Sequence, residues 1–200
     1  MIFRSLYKNE YRDVADLHIK AFSDFFLTSL GAGFLRVYYK ASLKSNESLA
    51  ICAIDENGDM QGFCIGCILS KGYHMRLIMK NIFMFSYVAI RIIFSNPGSL
   101  VRLFKNLNKH SDPADKGDYS ELLSIAVSPS YEGSGIGKNL IKNFEEEAKT
   151  RNCKRIALTT DYFNNEKVLS FYKKLGYEVF YEFISYPNRK MVKLIKNLTS

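Results

Sequence analysis

The chain has 200 residues, 47% hydrophobic and 24% charged, a balance that excludes a disordered tail or a disulfide mini-protein and allows one domain with its own core. Lysine and arginine number 28 against 20 acidic residues, a net charge of +8, so anionic partners are expected before cationic ones. Met1-Ile2-Phe3-Arg4 leads into charged sequence rather than an apolar run, and a cytoplasmic protein with reduced cysteines is expected.

Residues 1–7 suit a first strand. Residues 11–28 follow helical spacing, with Val14, Leu17, Ala21 and Phe25 on one stripe. After the Gly31-Ala32-Gly33 break, residues 34–43 suit a second helix. Residues 48–54 and 60–70 are expected as strands joined by a turn at Asp55-Glu56-Asn57-Gly58-Asp59. Cys64 and Cys67 have the spacing of a metal or redox pair. On a strand, however, residues three apart face opposite sides, so two buried thiols and no metal site are expected.

Residues 72–110 stand out as an insertion. From residue 61 to 111 there are seven basic residues and no acidic one. Asn96-Pro97-Gly98 should divide the segment into two helices. Arg76, Lys80, Tyr87 and Arg91 would share a stripe on the first, and Arg102, Lys105 and Lys109 on the second. The apolar runs are too short for a membrane span. The basic faces suit solvent, or phosphates and a membrane surface as the sharper reading. No nucleic-acid-binding motif accompanies the charge.

A polar loop over 112–117 precedes a strand at 121–127. A helix over 138–151, a strand over 154–160 and a short helix over 165–175 follow, the last stopped by Gly176. Residues 177–186 and 190–198 suit a closing hairpin around Pro187-Asn188.

The chemistry concentrates between residues 121 and 179. A strand enters Glu132-Gly133-Ser134-Gly135-Ile136-Gly137, which opens a helix. Backbone N–H groups and the positive helix end then converge on one point, which suits an anion. A P-loop needs Gly-Lys-Ser/Thr, and here Lys138 precedes Asn139. A dinucleotide fold needs its glycines near a first strand, and these lie late in the chain.

The loop follows Ile125-Ala126-Val127-Ser128-Pro129, and a second pattern follows in Asn165, Val168, Phe171, Tyr172, Lys174, Gly176 and Tyr177. Together the two patterns resemble the GNAT superfamily of N-acetyltransferases, over about 60 residues. The departure is Glu132, where that family commonly has Arg or Gln. The resemblance implies a mixed α/β domain over residues 1–200, with a mostly antiparallel sheet splayed at the cofactor site. It implies acetyl-coenzyme A as acyl donor. Gly133, Ser134, Gly135, Ile136, Gly137 and Lys138 would cradle the pyrophosphate. Ile125, Ala126 and Val127 would bond the pantetheine along the strand, and Asn165 would hold the same arm. Tyr172 would give a proton to the leaving sulfur. Glu121 is the candidate base, with His18 and His74 as rivals.

The expected reaction is direct acetyl transfer to the primary amine of a small molecule. The basic insertion favours an acceptor that bears phosphate, a nucleotide-linked amino sugar being one candidate. The alternatives are a protein or peptide acceptor, a longer acyl chain, or a non-catalytic acyl-coenzyme A-binding or peripheral membrane protein. Nucleic acid is not an expected partner. The oligomeric state stays open, a homodimer included.

Overall fold

The computed structural model describes residues 1–23, 25–95, 98, 101, 102, 105 and 114–198. The elements in order are β1 (Ile2–Ser5), α1 (Tyr11–Ala21), α2 (Phe26–Ser29), α3 (Ala32–Lys44), β2 (Ser48–Ile54), β3 (Met60–Cys67), α4 (Tyr73–Lys80), α5 (Ile82–Ser95) and β4 (Ser120–Val127). A 3₁₀ turn at Pro129–Tyr131 leads to α6 (Ile136–Thr150), β5 (Arg155–Asp161), α7 (Glu166–Lys174), β6 (Glu178–Ser185) and β7 (Arg189–Asn197).

The seven strands form one sheet in the order β1-β2-β3-β4-β5-β7-β6. Every pairing is antiparallel except β4 with β5. Each face of the sheet carries its own apolar cluster. Leu17, Leu35 and Tyr39 of α1 and α3 meet Phe63, Ile65 and Cys67 of β3 on one face. Leu140, Ile141 and Phe144 of α6 meet Ile51, Cys64, Leu122 and Ile156 on the other. The two thiols of the expected pair thus point into opposite clusters, and both are free.

Helix α6 lies close on the sheet because β3 has no side chain beneath it at Gly66. A Cβ there would meet the Glu121 carbonyl oxygen at 2.2 Å and the Phe144 ring at 2.5 Å.

Three expectations are corrected. The helix expected over 11–28 breaks at Phe22, and Phe25 is extended. The Phe22 and Phe25 rings pack together at 4.8 Å, and Thr28 Oγ1 donates to the freed Phe22 carbonyl at 2.6 Å. The strand expected to reach Ser70 ends at Cys67, because the amides of Ile68 and Ser70 turn to the carbonyls of Glu47 and Tyr119.

The first helix of the insertion breaks at Asn81, where α4 and α5 bend by 96°. Asn81 Nδ2 donates to the Leu77 carbonyl at 2.9 Å, a side-chain bond that competes with helix continuation. The expected stripe of Arg76, Lys80, Tyr87 and Arg91 is therefore split between two directions. Asn96, Pro97 and Lys109 of the expected second break and stripe lie outside the described residues. Among the described residues no single helix is long and apolar enough to cross a membrane.

Candidate active site

The site starts from a defect in the sheet. β4 and β5 pair only at Ser120 with Ile156, Glu121 with Ala157 and Leu122 with Leu158. Beyond Leu122 they diverge, while β5 continues on β7 to Asp161. The β3 register shifts at the same point: Ile65 pairs with Ser124 and Gly66 with Leu122, leaving Leu123 as the extra residue of a bulge. A bulge bends and twists its strand, which opens the wedge. Residues 123–127, including Ile125, Ala126 and Val127, have no strand partner on the β5 side among the described residues. An extended ligand can bond there as an added strand.

The glycine loop closes the mouth of the wedge. Gly133 and Gly135 have φ of +79° and +84°, and a Cβ on either would meet nothing within 4 Å. Gly135 is the N-cap of α6, with no side-chain cap and no acidic residue in the first turn. The first helical bond runs from Asn139 N to Gly135 O, so the amides of Ile136, Gly137 and Lys138 have no helical acceptor. Ser134 turns inward, its N–H and hydroxyl both donating to the Tyr131 carbonyl. Glu132 is exposed, so its carboxylate can stay in water. Free amides, open space and a 15-residue helix dipole fit a pyrophosphate.

On the α6 face, Tyr172 of α7 is buried with Cys64, Leu122, Ile136 and Tyr177. Burial, then the nearby Cys64, holds the phenol above its ordinary pKa, so it stays protonated. Its hydroxyl has no hydrogen-bond partner among the described residues. Phe171 packs its ring beside Gly137, near Val127. Asn165 precedes α7 and spends both amide hydrogens within the fold, on Thr160 Oγ1 and the Asp161 carbonyl, each at 2.8 Å. A ligand would therefore meet the Asn165 carbonyl oxygen rather than its N–H groups.

Glu121 lies at the paired end of the wedge. Its oxygens accept from Ser70 Oγ and, at 2.7 Å, from Lys193 Nζ. Both members of the Lys193 pair are largely buried. The His74 imidazole feels both charges; burial lowers its pKa most, Glu121 opposes this and Lys193 adds to it. His18 belongs to a second hydrogen-bonded group. Its Nδ1 is 2.6 Å from the Tyr39 hydroxyl, which donates on to Ser124 Oγ of β4 at 3.3 Å. Its Nε2 is buried with no partner among the described residues, and burial pulls its pKa down to about 4.

The charge near the wedge differs from the sequence expectation. Arg76 and Lys80 both pair with Glu47 at 2.7 Å, a residue outside the acid-free stretch. Another group of cations lines a cavity of about 400 Å³ at the free end of β5, with Arg102, Arg189 and Lys190 around Asp161 and Phe163. The Arg189 guanidinium grips both Asp161 oxygens. Arg102 stacks over Phe26 at 4.5 Å, and its buried Nε has no partner among the described residues. Asp161, Phe163, Arg189 and Lys190, with Ser70, Lys193 and Ser124, were not singled out in sequence as site groups; Arg102 was named only on the basic stripe of the insertion. No local motif marks them.

The acetyltransferase (GNAT) family model matches residues 13–177. A glucosamine 6-phosphate N-acetyltransferase from Trypanosoma brucei brucei is 40% identical over 53 residues, covering 26% of this chain and 33% of that protein. The match thus spans a third of that relative's length. An aminoglycoside 6'-N-acetyltransferase solved with coenzyme A superposes with TM-score 0.64 at 15% identity, covering 100% of this chain and 98% of that one. The ribosomal-protein alanine N-acetyltransferase of Escherichia coli gives 0.63 at 13% identity, with 100% and 94% covered. Acceptors as unlike as an aminoglycoside and a ribosomal protein share this fold, so the acceptor must be argued from the site.

Proposed function

The chain belongs to the GNAT acetyltransferase family, and on that premise we propose that it transfers the acetyl group of acetyl-coenzyme A directly to the primary amine of a small, phosphate-bearing molecule, an amino sugar phosphate or a nucleotide-linked amino sugar. The cavity at the end of β5 carries this reading. Arg102, Arg189 and Lys190 line it; Asp161 holds Arg189 and Glu182 holds Lys190, so Arg102 brings the charge without a carboxylate partner among the described residues. A cationic amine alone would be repelled there, whereas a phosphate would neutralise the Arg102 guanidinium.

In this reading the amides of Gly133 and of residues 135–138 hold the pyrophosphate, Ser134 being spent on Tyr131, and 125–127 with Asn165 hold the pantetheine arm. The wedge presents the thioester between the two sheet faces. Tyr172, kept protonated by burial, donates to the departing sulfur. Glu121 receives the amine proton, directly or through water, and Lys193 and Ser70 fix its carboxylate. The free thiols fit a reducing compartment such as the cytoplasm.

The test is an acceptor panel read by thiol release from acetyl-coenzyme A. It pairs a phosphorylated amino sugar with its unphosphorylated parent, a nucleotide-linked amino sugar, spermidine and a peptide. The phosphorylated sugars should give the highest kcat/KM, with a KM that rises with salt. Arg102→Gln should raise that KM roughly tenfold, the loss of one charged hydrogen bond. Preference for spermidine, the peptide or the unphosphorylated sugar would remove the phosphate from the proposal.

A further inference from the structure

α5 turns an apolar face to solvent. Ile82, Phe83, Tyr87, Ile90, Ile93 and Phe94 are all exposed, Phe83 by 89% and Phe94 by 87%. At helical spacing they share one side of the helix, while Val88 and Ile92 on the opposite side are buried against the α3 cluster. α4 adds exposed Met75 and Met79. A soluble surface seldom leaves so many large apolar side chains contiguous without a partner.

Charge chooses the partner. Residues 61–111 contain Lys71, Arg76, Lys80, Arg91, Arg102, Lys105 and Lys109 and no acidic residue. Glu47 supplies a single negative charge against both Arg76 and Lys80. A second copy of the chain, docked through the same face about a two-fold axis, would set the exposed Lys71, Lys80 and Arg91 against their own copies. A bilayer with anionic headgroups complements both features at once: its acyl boundary takes the aromatic and aliphatic side chains, and its phosphates meet the cations. The 96° bend at Asn81 makes two short helices, neither long enough to cross a membrane.

We propose that α4 and α5 dock the protein on an anionic lipid bilayer, the exposed face of α5 entering the headgroup boundary and the exposed Lys71, Lys80 and Arg91 on and beside these helices contacting lipid phosphates. The contact is peripheral and reversible. It leaves the glycine loop and the β4–β5 wedge on other elements of the fold.

Vesicle flotation of the full chain tests this, with vesicles of phosphatidylcholine alone and of phosphatidylcholine with phosphatidylglycerol. The protein should float with the anionic vesicles only, and less as salt rises. Phe83→Ser with Phe94→Ser should lower vesicle affinity by on the order of a hundredfold. Both side chains are exposed, so the fold should be retained, as checked by circular dichroism. Flotation with neutral and anionic vesicles alike would overturn the proposal. So would no flotation at all, whether the protein is monomeric or forms a dimer in light scattering that the two serine substitutions abolish.

Discussion

Gly135 is where backbone conformation and ligand chemistry meet, and replacing it separates the two. Its φ of +84° lies in the left-handed region, so any side chain there costs about 1–2 kcal/mol of folding stability. For a chain of this length that is roughly 2–8 °C in Tm. No atom lies within 4 Å of the added Cβ, so strain is the whole cost to the free protein. Gly58 in the β2–β3 turn has φ +89° and the same open surroundings, so Gly58→Ala should lose the same stability. Binding should distinguish them. Gly135→Glu sets a carboxylate beside the free amides that open α6, a separation taken as roughly 5 Å for the Coulomb estimate. Against one negative charge of a diphosphate this costs about 3 kcal/mol at an effective dielectric of about 20. Coenzyme A affinity should then fall about a hundredfold, less at high salt. Gly135→Ala should fall between this and wild type, and Gly58→Ala should bind as wild type. Titration calorimetry with thermal melts reads both quantities. A folded Gly135→Glu protein with wild-type coenzyme A affinity would refute the assignment of the loop.

Tyr172→Phe removes a hydroxyl without a partner among the described residues. Stability and coenzyme A affinity should hardly change, while kcat for thiol release should fall about 10²–10⁴-fold; an unchanged kcat would leave Tyr172 as packing. Glu121→Gln leaves the Lys193 ammonium buried and unpaired, which should cost about 3–5 kcal/mol. Adding Lys193→Met should restore most of that stability but not the rate, and recovery of the rate in the double variant would show that Glu121 acts only as a scaffold. His18 binds a proton at about 4 when folded, well below its unfolded value of about 6.5. Both forms are neutral above about pH 6.5, so its contribution is complete there and is lost as pH falls toward 4, by up to about 3 kcal/mol. Denaturant unfolding of His18→Phe should lack that part of the pH slope; the same slope in both proteins would place the titration elsewhere.

The parts legible in sequence are those whose physics is local. Gly133, Gly135 and Gly137 ahead of an amphipathic helix announce free amides at a helix start within a few residues of chain. Asn165, Tyr172 and the Gly176 stop are equally local, and strand periodicity was enough to give Cys64 and Cys67 opposite faces. The break at Asn81 was missed because its cause is a single side-chain bond to Leu77 within an unbroken apolar pattern. The sign of the 61–111 stretch could be read from composition, yet its field could not. Glu47, 29 residues before Arg76, takes up part of that charge. The Glu121 carboxylate waits on Ser70 and Lys193, 51 and 72 residues away. The cationic cavity assembles Arg102, Asp161 and Arg189 from an insertion, a strand end and a hairpin. The splay of β4 from β5 depends on a register shift against a third strand. Sequence determined the glycine loop and its helix because neighbours in the chain build them. Tertiary structure alone decided what lines the cavity at the end of β5 and what holds Glu121, because charges tens of residues apart become partners only when the sheet brings them together.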